Sequence, residues 1–201
     1  MRRGKFFGFV VLLIAIGCAA PTELHRGRAA LLTGMPDVAA THFGEAAAIN
    51  ERLRYSQLRE GIWTYLGRAY YDAKQYPRAR QSLERAVAAD NYDGFARLYL
   101  GLTLARQGNY DGGRTEVLGG LQTLSDQLNG IVYFAANGYY WDTTGQLRRE
   151  LTAAHRAVTE AKPNLDYLFV RLEDLGIAIE QEIDFAAKDE TIQLNRKFGD
   201  Q

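Results

Sequence analysis

Three histidines, one cysteine and twenty-four carboxylates are the groups in this 201-residue chain from which chemistry could be built. His25, His42 and His155 each stand three or four residues from no other histidine and away from Cys18, so helical metal-ligand spacing is absent. His42 and His155 fall beside Phe43 and Ala154 on apolar-periodic stretches, where a structural role is expected, and His25 is expected to be solvated. Glu173-Asp174 and Asp189-Glu190 are chain neighbours and read as solvated helix faces. The chain carries no G-x-S-x-G, no phosphate-cradling G-x-x-x-x-G-K-[ST] and no dinucleotide-binding glycine fingerprint. The expectation is a protein that is not an enzyme and takes no metal and no cofactor.

The elements that would position these groups are helical and repeated. Gly61–Ala89 places Trp63, Leu66, Gly67 and Tyr70, then Ala79, Leu83 and Ala86, at the spacing of two short helices joined by a tight turn. A shift of 34 residues lays Leu66 on Leu100, Gly67 on Gly101, Tyr76 on Tyr110, Arg80 on Arg114 and Leu83 on Val117. Small residues persist in the same register, Ala79 over Gly113 and Ala86 over Gly120. Two fainter copies flank these, with Gly27, Gly67, Gly101 and Gly138 each expected in mid-helix. Glycine there costs roughly 1 kcal/mol relative to alanine, so its recurrence predicts a close helix approach. Seven residues beyond each stands Gly34, Lys74, Gly108 or Gly145, the place where a helix would stop in the left-handed conformation. The extra residues near Asn50–Arg59 and Leu128–Gly130 read as loops or helix extensions.

The pattern Trp63, Leu66-Gly67, Tyr70, Ala79, Leu83, Ala86 resembles the tetratricopeptide repeat, a 34-residue helix–turn–helix unit. The resemblance spans about Pro21–Asn164 and implies an all-α fold: a right-handed superhelix of antiparallel helix pairs with a C-terminal capping helix. Its units would be residues 20–53, 60–93, 94–127 and 131–164. Trp63, Leu66, Gly67, Tyr70, Ala79, Leu83, Ala86, Leu100, Gly101 and Gly138 would be its packing residues. In residues 165–201, Leu168, Leu172, Leu175, Ile179, Ile183 and Ala186 form one apolar helical stripe that would cover the last repeat; Gly176 is a possible kink, and a dimer contact is the alternative use of the stripe.

Residues 1–17 combine a basic start with an apolar run from Phe6 to Gly17, which is the layout of an export signal and too short to span a bilayer. Ala15-Ile16-Gly17-Cys18 then resembles the lipobox of bacterial lipoproteins, which implies acylation of Cys18 as the new N-terminus. Cys18 is the only cysteine, so no disulfide forms within the chain. Without Arg2, Arg3 and Lys5 the chain keeps 21 Lys+Arg against 24 Asp+Glu, a net charge of −3 that offers no footprint for nucleic acid.

Taken together, the resemblances imply a membrane-anchored scaffold of the cell envelope, held by lipid at the outer membrane and facing the periplasm. It would bind protein or peptide partners through a concave face including Thr64, Arg68, Tyr71, Phe95, Leu98, Leu102 and Tyr139. The Lys and Asn with which some tetratricopeptide domains clamp a terminal carboxylate are not present as a set. Two alternatives stand beside the scaffold: a self-associating subunit using the C-terminal helix, and a secreted periplasmic protein without lipid.

Overall fold

The computed structural model describes residues 6–135, 138–160 and 165–198, with side chains described over 19–135, 138–160 and 168–192. The described chain is all-α in class, and neighbouring helices pack on one another. The helices are α1 (Phe6–Leu32), α2 (Pro36–Ile49), α3 (Ile62–Asp72), α4 (Tyr76–Ala89), α5 (Gly94–Arg106), α6 (Tyr110–Phe134), α7 (Gln146–Thr159) and α8 (Leu165–Phe198). The insertion after α2 is neither plain loop nor helix extension: β1 (Arg54–Tyr55) and β2 (Glu60–Gly61) form a small antiparallel hairpin. Residues 1–55 and 59–91 form one compact unit, and 56–58 with 92–201 form a second. Among the described residues, no helix is long and apolar enough to cross a membrane.

In the first unit, α1 packs on α2 and α3 on α4. Gly27 lies against the Phe43 ring, and Gly67 lies against Leu83 and the Ala79 carbonyl, so a Cβ at either place would collide with the neighbouring helix. The second unit repeats this in α5 and α6, where a Cβ on Gly101 would come within 2.6 Å of the Gly113 carbonyl oxygen and of the Val117 nitrogen. In all three pairs the partner side chain stands sixteen positions downstream of the glycine: Phe43, Leu83, Val117. In the α5–α6 crossing Gly94 and Gly101 meet Gly120 and Gly113 backbone to backbone.

The turns repeat as closely as the crossings. Gly34, Lys74 and Gly108 have φ of +73°, +58° and +86°. The N–H groups of Met35, Gln75 and Asn109 donate to Ala30, Tyr70 and Leu104 carbonyls, at 2.9, 2.8 and 2.9 Å. Those of Gly34, Lys74 and Gly108 donate to Leu31, Tyr71 and Ala105. This pair of bonds around a left-handed residue satisfies the orphan carbonyls at the helix end and reverses the chain into the next helix. Lys74 accepts the left-handed conformation without being glycine, at a cost of roughly 1–2 kcal/mol.

The expected fourth pair, residues 131–164, departs from the pattern. Its first helix is missing: residues 131–134 are the last turn of α6, and Gly138 opens a short 3-10 turn, Gly138–Tyr140, rather than sitting in mid-helix. The cause is in α6, whose Val117, Leu121, Leu124, Leu128 and Ile131 make an unbroken buried stripe that carries the helix through the expected boundary. Gly138 is still held by close approach, with the carbonyls of Ile131 and Val132 where a Cβ would stand. In α8, Leu168, Leu172, Leu175, Ile179, Ile183 and Ala186 are buried within the chain, so that stripe is not open to a second copy. The helix does not break at Gly176, where the Tyr99 hydroxyl occupies the space a Cβ would need.

The crossings give a sharp contrast between glycines. Gly101→Ala drives a methyl into backbone and is expected to lower unfolding stability by about 2 kcal/mol or more. Gly44→Ala in α2 meets open space and is expected to raise it by about 0.5–1 kcal/mol. Urea unfolding of the two variants beside the parent chain measures both.

Candidate functional site

The face expected to hold a partner is largely closed. Thr64, Arg68, Tyr71, Phe95, Leu98 and Leu102 are all buried, and only Tyr139, at 67% exposure, stands in solvent. An outward placement of these residues requires each first helix to bury a single stripe. In fact α3 and α5 are covered on more than one side, with Thr64 and Tyr65 as inaccessible as Leu66. Tyr65 packs on Phe43 at 5.3 Å between ring centroids, and Phe95 packs on Tyr99 at 5.2 Å. Conversely, Trp63 and Tyr70 are half-buried rim residues, each covered by an arginine of α4: Arg85 at 3.7 Å over the indole, and Arg78 at 4.0 Å over the phenol. Leu66, Gly67, Ala79, Leu83, Ala86, Leu100 and Gly101 are buried at their crossings. The Cys18 side chain lies outside the described residues.

What the second unit does present is a groove of about 510 Å³ between α6 and α7. Asn129 and Tyr133 line it from α6, and Arg148, Arg149, Thr152 and Arg156 from α7. Arg149 and Arg156 are two turns apart and so share one helix face. Gly145, the last residue of the loop Trp141–Gly145 that precedes α7, completes the lining. Trp141 and Asp142 are buried, with Asp142 at φ +44°.

Asp142 organises this loop. Its carboxylate accepts the Leu147 N–H at 2.8 Å and the Arg148 N–H at 3.2 Å, capping α7 in the absence of a cap from Gly145. It also accepts Arg148 Nε at 2.7 Å, while Arg148 Nη1 donates to the Tyr133 hydroxyl at 2.8 Å. The guanidinium is therefore fixed from two sides, and its hydrogen bond to Asp142 raises its already high pKa. Arg149 Nη1 donates to the Thr144 carbonyl at 3.0 Å. The Asp142 N–H is taken by Glu182 Oε1 of α8. Burial, foremost, and the nearby Asp142 charge push the Glu182 carboxyl above the usual glutamate range, against the lowering effect of that hydrogen bond.

Three guanidinium groups around one groove, one of them pre-positioned, suit the carboxylates or other anions of a partner. Asn129, Tyr133 and Thr152 add neutral hydrogen-bonding groups to the charged lining. Asp142, expected to face outward beside Tyr139, is buried instead, and the arginine set did not stand out in the sequence; the trace available there is Arg149, Thr152, Ala153 and Arg156 at helical steps of three and four.

In the first unit, one group among the described residues gathers potential metal-ligand atoms: Glu23, His42 and Glu45. Glu23 Oε2 bonds His42 Nδ1 at 2.7 Å and Oε1 bonds Arg26 Nη1 at 2.6 Å. The His42 hydrogen bond, foremost, holds Glu23 below the usual range. Both Glu23 oxygens are thus committed, and the group reads as a hydrogen-bonded link between α1 and α2.

Comparison of the chain with models of protein families, with curated proteins and with solved structures finds no match in any of the three.

Glu182 supplies a pH test of the loop. Its folded pKa lies above its unfolded one, so the native state retains a proton that the unfolded chain has lost, and stability falls as pH rises from about 4.5 through the folded value. Glu182→Gln is expected to remove that loss: its urea midpoint should exceed the parent's at pH 7 and converge on it near pH 4.

Proposed function

We propose that this chain is a lipid-anchored adaptor of the bacterial cell envelope, built from tetratricopeptide-like helix pairs, which holds protein partners rather than transforming a substrate. The finer architecture in this reading is a right-handed solenoid of three such pairs closed by α7 and α8. The observation that carries it is the repeated crossing, in which Gly27, Gly67 and Gly101 meet Phe43, Leu83 and Val117 at one constant separation. The three turns with the same two hydrogen bonds add to that support.

Anchoring through Cys18 draws support from Pro21. Proline inside α1 has no N–H to offer the Gly17 carbonyl and crowds it, at a cost of roughly 3 kcal/mol. Cleavage before Cys18 would remove that carbonyl. Pro21 would then be the fourth residue of the helix, where an N–H has no intrahelical partner in any case. The signal and the lipobox resemblance thus agree with the local demands of the helix. Acyl chains on the cysteine would hold the protein at the outer membrane, facing the periplasm.

Since the predicted concave face is mostly buried, the partner contact in this reading moves to the arginine groove of α6 and α7, with an acidic segment of a partner protein as the chemistry it fits. Two experiments separate the parts of the proposal. Cys18→Ser is expected to abolish fatty-acid labelling and to release the protein from membranes; retention in the membrane fraction would contradict the anchor. In crosslinking from intact cells, Arg149→Glu with Arg156→Glu is expected to reduce partner capture at least ~10-fold while leaving the helical content unchanged. Undiminished capture would contradict the groove.

A further inference from the structure

The outer face of α8 carries a second seam, opposite the buried one. Val170, Asp174, Ile177, Gln181, Phe185, Lys188 and Ile192 follow one another at steps of 4, 3, 4, 4, 3 and 4. At 3.6 residues per turn these positions fall within an arc of about 80°. All seven are exposed, and the apolar four are 54%, 46%, 62% and 37% accessible in chain order. Large apolar side chains at regular helical steps on a solvent face mark a contact surface rather than scattered surface residues.

The seam is also a palindrome. Counting outward from Gln181, Ile177 answers Phe185, Asp174 answers Lys188 and Val170 answers Ile192. An antiparallel copy of the same helix, related by a two-fold axis at Gln181, sets apolar residues on apolar residues at four places. It also sets Asp174 against Lys188 twice, once on each side of the axis. The side-chain amide of Gln181 offers both a donor and an acceptor, so two copies meeting on the axis can bond reciprocally. An isologous contact is self-complementary in this manner, residue i meeting j while j meets i. A partner of different sequence imposes no such symmetry on spacing or on charge.

We propose that the chain forms an antiparallel homodimer through the outer seam of α8, centred on Gln181 and spanning Val170 to Ile192, a length of about 33 Å. This contact leaves the buried stripe of α8 in place and is independent of the arginine groove. It differs from a dimer built on Leu168–Ala186, whose side chains already serve the fold.

The register is testable by thiol crosslinking in the full-length protein in native membranes, with a short bis-maleimide as probe and the parent chain, which has Cys18 only, as background. Gln181→Cys is expected to give a covalent dimer in high yield. Val170→Cys and Ile192→Cys, each alone, should give at least ~10-fold less, because each stands about 33 Å from its own copy, and co-expression of the two should restore the product. Lys188→Asp, which places two carboxylates together at both ends, should cut the Gln181→Cys yield at least ~10-fold, and Asp174→Lys with Lys188→Asp should recover it. No crosslink at Gln181→Cys would overturn the dimer. Equal yields from Gln181→Cys and Val170→Cys alone would overturn the antiparallel arrangement, and an indifferent Lys188→Asp would overturn the register. All of these positions are exposed, so the substitutions leave the packing of α8 intact.

Discussion

Close approach of helices at glycine sets the geometry of the three repeated pairs, α1–α2, α3–α4 and α5–α6. A helix with a large side chain at the crossing keeps its neighbour 8–10 Å away, whereas glycine lets the partner's side chain or carbonyl take the place of a Cβ. Three crossings use this device with the same separation in sequence. The separation is set by the turn: one left-handed residue, two capping hydrogen bonds and immediate re-entry into helix fix how far along the second helix the partner lies. Crossing and turn therefore specify one another, and a residue gained in either would rotate the second helix by about 100° and move its partner off the glycine.

The second unit shows what happens when this specification is overridden. The buried stripe of α6 continues for two turns beyond the place where the earlier pairs would end, and the gain from burying Leu128 and Ile131 outweighs the repeat. Residues that would have formed another helix are left to cross its end. Asp142 then supplies what regular structure no longer does, accepting two backbone N–H groups and one guanidinium and giving its own N–H to Glu182. The open side of that arrangement is the arginine groove. The arginine groove thus lies beside the break in the pattern.

Much of the fold was legible because period and punctuation survive in the sequence. Mid-helix glycine, left-handed stop and small residues at the facing position located α1 through α5 and the start of α6, and apolar residues at steps of three and four located the buried stripe of α8. The misreadings share a physical origin. One apolar stripe per helix implies one inside and one outside, but α3 and α5 are enclosed, so Thr64, Arg68, Leu98 and Leu102 are buried rather than presented to a partner. Trp63 and Tyr70 drew attention by size, yet they sit at the rim under arginines while the less conspicuous Tyr65 is fully buried. The role of Asp142 and Arg148 was not legible, because their relation to Tyr133 and Glu182 depends on where a loop crosses two helices.

Glycine-seated crossings at a constant separation in sequence are directly visible as nuclear Overhauser contacts. In the full chain, strong contacts are predicted from the Gly27 Hα atoms to the Phe43 ring, from Gly67 to the Leu83 methyls and from Gly101 to the Val117 methyls. All three should appear in one spectrum, alongside helical carbon shifts that continue through Phe134. Absence of these contacts, or a non-helical break at Leu128–Gly130 followed by helical shifts across Gly138, would contradict the account.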